Sequence, residues 1–189
     1  MRVGELLRAI DDYDGQPIPK LAMQLVPHVF ARPGELRHAD CADIDLEGAF
    51  WSIPAAKTKM RKDHRVSLSR RNLAILQTVI ALTGLIGFDF PSIRTKSRPM
   101  RDNTINVGLR RMGYACDEMT AHGLRAMAST LLNESGKWNP DTIERPLAHG
   151  DTDEVRAAYH RGAHWKERVA TAQWWNDYLG ELRSGAISD

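Results

Sequence analysis

The chain has 189 residues, 42% hydrophobic and 26% charged, ordinary proportions for one well-buried domain. No run of about 18 uninterrupted apolar residues occurs, so no membrane-spanning helix is predicted, and Glu5 and Arg8 interrupt the apolar stretch a signal peptide would need. The net charge of +2 conceals a division: residues 51–111 hold thirteen Lys/Arg against three Asp/Glu, whereas both flanking segments are acidic.

So basic a centre points to a polyanion partner, nucleic acid first, or else to a solvated basic face. Cys41 and Cys116 lie far apart and outside any Cys-x-x-Cys pattern, so free thiols in a reducing cytoplasm are expected. There is no internal repeat and no Gly/Ser linker, which supports a single unit over 1–189.

In chain order, Val3–Tyr13 reads as a short amphipathic helix and Ile18–Phe30 as a second, more apolar one. Pro33 suits the first position of a new helix and holds Arg32 out of the α region, at its entrance. Asp43–Leu46, Trp51–Ile53 and Arg65–Leu68 alternate polar and apolar residues, predicting a three-stranded antiparallel meander. Helices follow over Arg70–Leu82, Asn103–Met112 and His122–Asn133, with Thr83–Ser92 read as a loop. Asn139 caps a helix that begins at Pro140 and runs to about His149. Asp151 and Thr152 cap another through Tyr159, and His164–Leu182 is a long final helix. The expected fold is mainly α with one small antiparallel sheet.

Four stretches carry reactive side chains. They are Ala31-Arg32-Pro33-Gly34-Glu35-Leu36-Arg37, the basic hairpin loop Lys57 to His64, Thr120-Ala121-His122-Gly123-Leu124-Arg125, and Leu147-Ala148-His149 with Tyr159 ten residues later. Breaking a phosphodiester without a metal needs a nucleophile, neutralisation of two nonbridging oxygens, and a proton for the leaving oxygen. Guanidinium groups suit the second task because they are planar, permanently charged and bidentate. Arg32 and Arg125 would supply it from two helices. A lysine on a flexible hairpin suits the third task, and Lys57, Lys59 and Lys62 all compete for it. Tyrosine, with a free pKa of about 10, needs an activating neighbour to attack. His122 and Arg125 share a helical face, and Glu35, three residues after Arg32, is placed to orient it.

Arg…Lys…His-x-x-Arg…His…Tyr in this order resembles the catalytic set of the tyrosine site-specific recombinases of phage-integrase type. The wording Arg-Pro-Gly-Glu-Leu-Arg, Trp-x-Ile-Pro-Ala, Lys-Met-Arg-x-x-His, His-Gly-x-Arg-Ala and Leu-Ala-His…Val-Arg-Ala-Ala-Tyr resembles integrases of prophages and genomic islands in Gram-negative bacteria. The resemblance covers nearly the whole chain and implies the recombinase catalytic-domain fold.

It implies that Arg32 and Arg125 bind the scissile phosphate, supported by Glu35. Lys59 would protonate the 5′-oxygen, His122 and His149 would assist proton transfer, and Tyr159 would form a covalent 3′-phosphotyrosyl link. Arg61, Lys62, His64, Arg98 and Arg101 are candidate DNA contacts. No cofactor, metal or ATP is implied. The partner is double-stranded DNA at attachment sites, in the bacterial cytoplasm at the nucleoid. A tetramer on DNA is expected of a full-length protein and a monomer of this chain alone, because the DNA-binding regions that precede the catalytic domain in the family have no counterpart here.

Three positions depart from the family pattern. Asp63 stands where proline is commoner, which is expected to loosen the loop carrying Lys59. Pro146 should kink the helix before His149, and Leu124 replaces a commoner aromatic. His160 and His164 have a zinc-ligand spacing, but no His-Glu-x-x-His motif or cysteine pair accompanies them, so no metal site is expected. Tyr13, Tyr114 and Tyr178 are assigned to packing, and Trp174-Trp175 either to core or to a partner-docking patch. The competing functions are a type IB topoisomerase and a catalytically silent DNA-binding or regulatory module.

Overall fold

The computed structural model describes residues 2–58, 61, 63–144 and 163–187. Helix α1 (Val3–Asp12) buries Val3, Leu6, Leu7 and Ile10 on one stripe. Helix α2 (Pro17–Leu25) starts on a proline and stops earlier than its apolar pattern suggests. The segment expected as one helix to Phe30 instead tightens into a 3-10 turn, Val26–His28, and leaves it extended at Val29. Pro27 sits within that turn and has no N–H to continue the α-helical ladder.

Helix α3 (Pro33–Arg37) begins on Pro33, with Arg32 as its extended N-cap. Strands β1 (Ile44–Asp45), β2 (Phe50–Ile53) and β3 (His64–Ser67) form the expected antiparallel meander, with Ile44 opposite Trp51, Trp51 opposite Val66 and Ile53 opposite His64. Trp51, Ile53 and Val66 are buried. Helix α4 (Arg70–Thr83) is capped by the Ser69 hydroxyl, which accepts from the Asn72 N–H at 3.2 Å, and ends at Gly84 with φ +96°.

The next stretch corrects the sequence reading. Part of the predicted loop, Pro91–Ser92, is strand β4, and it pairs with β5 (Thr95–Pro99) in a second, two-stranded sheet. Four of the five residues of β5 are exposed, so no burial alternation marked it in the sequence. Main-chain bonds dock the segment leading into β4 behind α3: Asp89 N–H donates to the Ala39 carbonyl at 3.0 Å and Cys41 N–H to the Gly87 carbonyl at 3.1 Å.

Helices α5 (Thr104–Arg111), α6 (Ala121–Glu134), α7 (Pro140–Glu144) and α8 (Ala163–Ser184) complete the described chain. The remainder of the helix expected to reach His149, with Pro146, and the whole of the one expected to reach Tyr159 lie outside the described residues.

One core cluster joins Leu6, Met23, Leu36, Trp51, Phe90 and Leu124. A second joins Val3, Leu7, Phe30, Leu132, Trp175 and Leu179, tying α8 to α1 and α6. Trp175 belongs to this core, and its indole N–H donates to the Pro27 carbonyl at 2.9 Å. Trp174 is half-buried and stacks on Tyr178 at 5.2 Å between ring centroids. Both tryptophans therefore pack within the molecule.

Candidate active site

The N-terminus of α3 presents Arg32. Its guanidinium donates from Nη1 to Glu35 Oε1 at 2.9 Å, and its main-chain N–H donates to Glu35 Oε2 at 2.7 Å. Glu35 is 4% exposed, so this carboxylate is spent entirely on Arg32 and on capping the helix that carries it. Arg32 keeps a fifth of its side chain in solvent, enough to meet a ligand oxygen.

Helix α6 presents His122 and Arg125 on its first turn. Thr120 caps it, the hydroxyl accepting from Gly123 N–H at 2.9 Å. The Ala121 N–H is taken by Asn106 Oδ1 of α5 at 2.8 Å. His122 is exposed and Arg125 half-buried, and between them Leu124 is fully buried. Leu124 and Ala121 share the core cluster that holds Ala31 and Leu36, so both arginines rise from the rim of one packed core. Helix α6 also packs on the turn Val26–His28 that leads into Arg32.

The β2–β3 hairpin carries the basic loop. Lys57 is held in an ion pair, Nζ to Asp43 Oδ2 at 2.5 Å. Asp63, expected to loosen the loop, accepts at Oδ1 from the Ala55 N–H at 2.8 Å, while Lys59 itself lies outside the described residues. The Thr58 hydroxyl donates to the Ala55 carbonyl at 3.2 Å, and Thr58 is buried. Arg61 is exposed with φ +50°, a left-handed backbone uncommon outside glycine. His64 is half-buried on β3, opposite Ile53. Lys59, Lys62, His149, Tyr159 and His160 lie outside the described residues, as does the side chain of His164. Among the described residues no cluster of three or more His, Cys, Asp or Glu is placed to hold a metal ion.

Of the remaining expected DNA contacts, Arg98 stands exposed on β5 and Arg101 is exposed just after it. Sequence reasoning passed over Arg94 and Lys96 on the same hairpin. The signal available was the lack of any carboxylate between Asp89 and Asp102.

Two buried polar groups brace the site from behind. His28 is buried beneath Arg71, whose Nε donates to its Nε2 at 3.2 Å, and burial followed by the Arg71 charge pushes its pKa down to about 3. Asp89 is fully buried, and that burial raises its pKa to about 6, against the hydrogen bond it accepts from Cys41 Sγ at 3.1 Å. Burial likewise pushes the Cys41 thiol up to about 12, with the Asp89 bond and charge adding to it, so Cys41 is a donor here and no nucleophile.

Arg32 beside Glu35 and Arg125 beside His122 each adjoin residues of one core cluster, and guanidinium groups are of the kind that hold a phosphoryl group. The family model for the phage integrase family matches residues 2–164, and the chain belongs to that family. It is 39% identical over 201 residues to the protein IntB of Escherichia coli strain K12, covering 99% of this chain and 51% of that protein. It is 44% identical over 156 residues to prophage integrase IntA of the same strain, covering 82% of this chain and 37% of that protein. The chain thus spans about half or less of these relatives. Among solved structures, the integrase from mycobacterium phage Brujita superposes with a TM-score of 0.69 at 17% identity, over 90% of this chain and 55% of that one, and so shares the fold.

Proposed function

We propose that the chain is the catalytic part of a site-specific recombinase that integrates or excises a mobile DNA element. In this reading the Tyr159 hydroxyl attacks the scissile phosphorus and gives up its proton to a histidine, His149 or His122. The bond from phosphorus to the 5′-oxygen breaks, and Lys59 protonates that oxygen. Arg32 and Arg125 neutralise the nonbridging oxygens as their charge grows. The phosphotyrosyl bond conserves the energy of the broken diester, so religation needs no ATP. Double-stranded DNA at attachment sites is the substrate, and a tetramer on DNA is the working assembly of the full-length enzyme. The chain by itself is a monomer of the bacterial cytoplasm. The observation that supports the reading is the Arg32–Glu35 clasp at the start of α3, whose neighbours Ala31 and Leu36 share a core cluster with the Ala121 and Leu124 that flank His122.

Incubation with a nicked suicide duplex tests it. A protein–DNA adduct stable to SDS is expected, lost in Tyr159→Phe and unaffected by EDTA. No adduct from a full-length version would overturn the reading, and inhibition by EDTA would overturn its metal-free chemistry.

A further inference from the structure

Outside this site the molecule carries a cavity of about 330 Å³ between the β4–β5 hairpin, the start of α5 and the α1–α2 connection. That is the lower end of the volumes that hold small ligands, about 300–1,000 Å³. Three arginines line it: Arg94 from the hairpin tip, Arg101 from the chain entering α5, and Arg111 from the last turn of α5. Among the described residues no carboxylate does. The neighbouring Asp102 carboxylate accepts from the Asn103 N–H at 2.9 Å. The rest of the lining mixes amide and hydroxyl donors such as Asn103 and Thr104 with aliphatic surface from Ile93 and Val107, which are 72% and 40% exposed. Guanidinium groups recognise phosphate oxygens bidentately. Exposed aliphatic side chains beside them fit the apolar face of a deoxyribose better than they fit a bare hydrated anion.

The walls are tied to both elements of the phosphate clamp. Arg37, on the helix that Arg32 caps, donates from Nε to the carbonyl of Met100, a lining residue, at 3.0 Å. Asn106, in the first turn of α5, accepts from the Ala121 N–H beside His122 at 2.8 Å. A ligand in the cavity is therefore in fixed register with the site that would hold the scissile phosphate.

The geometry points to a second phosphate site, in which Arg94, Arg101 and Arg111 grip a backbone phosphate of the DNA flanking the cleavage point while Ile93 and Val107 pack its sugar. This inference rests on the strand-transfer reading for its choice of DNA. The test compares the full chain with Arg94→Gln/Arg111→Gln on two nicked duplexes, one confined to the base pairs around the nick and one extended on both sides. On the extended duplex the variant should bind on the order of tenfold more weakly, and its log–log salt dependence should be shallower by about 0.9 for the one phosphate lost. On the confined duplex the two proteins should bind alike, and at saturating DNA their rates of adduct formation should match.

Equal binding of the extended duplex by both proteins overturns the site. So does an equal loss on both duplexes, which would place these arginines at the cleavage point or in folding. Titration of the arginine Nε–H NMR signals separates the possible phosphate sources. Shifts with the extended duplex but not with millimolar inorganic phosphate support DNA, and shifts with inorganic phosphate alone overturn it in favour of a small-anion site. If a full-length version forms no adduct yet the variant loses binding only on the extended duplex, the site stands and the strand-transfer reading falls.

Discussion

Glu35 shows how much of a site one buried carboxylate can organise. Both its oxygens go to Arg32, one to the guanidinium and one to the main chain, so removing it takes away one hold on the guanidinium and uncaps α3 together. Hydrogen bonds to charged groups are worth about 1.5–3 kcal/mol, roughly a 10- to 150-fold change in rate if all of it goes to positioning. Glu35→Ala should slow single-turnover adduct formation within that range, and Glu35→Gln should recover part of it; an unchanged rate for Glu35→Ala would show that Arg32 needs no orienting partner. His28 makes a prediction about stability. Arg71, Arg183, Asp11 and Asn176 all face it. Its folded pKa, about 3, lies below the ordinary 6.5, so the unfolded chain takes up the proton first. Its contribution is therefore complete above about pH 6.5 and is lost as pH falls toward 3, at roughly 1.4 kcal/mol per unit. Asp89, raised to about 6, works in the opposite sense: its contribution is complete below its ordinary 3.8 and is lost as pH rises through 6. Urea unfolding between about pH 4 and pH 7 should show His28→Gln with a flatter acid limb than the wild type, and parallel curves would refute the buried neutral imidazole.

In the proposed mechanism the leaving-group chemistry depends on the β2–β3 hairpin. Asp63 closes the loop onto Ala55, and Asp43 ties down Lys57, so Lys57 is occupied as an anchor. That leaves Lys59 and Lys62 as the candidates for general acid. Asp63→Ala should slow cleavage of an ordinary phosphodiester, and a 5′-bridging phosphorothiolate, whose thiolate leaves without a proton, should restore the rate. A merely structural role for Asp63 predicts the same slowing on both substrates. The meander itself was legible from the alternation of Trp51, Ile53 and Val66 with polar neighbours, because one face is buried. Strand β5 was not, because it lies open to solvent on both sides and is held by pairing to β4. The 3-10 turn at Val26–His28 was announced by Pro27, yet the apolar run through Phe30 outweighed it in the sequence reading.

Across the whole molecule, the first and last helices close on each other. A Cβ on Gly4 would lie 2.3 Å from the Leu182 carbonyl oxygen, so only glycine lets α1 and α8 approach this closely. Arg8 Nη1 adds a hydrogen bond to the Arg183 carbonyl at 2.8 Å, and Asp11 pairs with Arg183 at 2.8 Å. Gly4→Ala should wedge the helices apart and cost about 1–3 kcal/mol in urea unfolding. Stability equal to wild type would mean that the two helices can slide without loss. Helix α8 is pinned again at its N-terminal half, where the Ser67 hydroxyl of β3 donates to the Arg168 carbonyl at 3.2 Å. The sheet and the helix that follows the Tyr159 segment in the chain are thus one framework.

Local chemistry determined the helices around Arg32 and His122/Arg125 and the antiparallel meander. It did so because proline geometry, capping hydroxyls and one-sided burial act over a few residues and leave their pattern in the order of the chain. Only the tertiary structure decided that Glu35 is sealed beneath Arg32, that Asp63 fastens the hairpin, that Trp175 is core, and that Arg94, Arg101 and Arg111 surround one cavity. These depend on how each segment is packed in the fold, where burial and hydrogen-bond distance, and not residue type, settle what a side chain does.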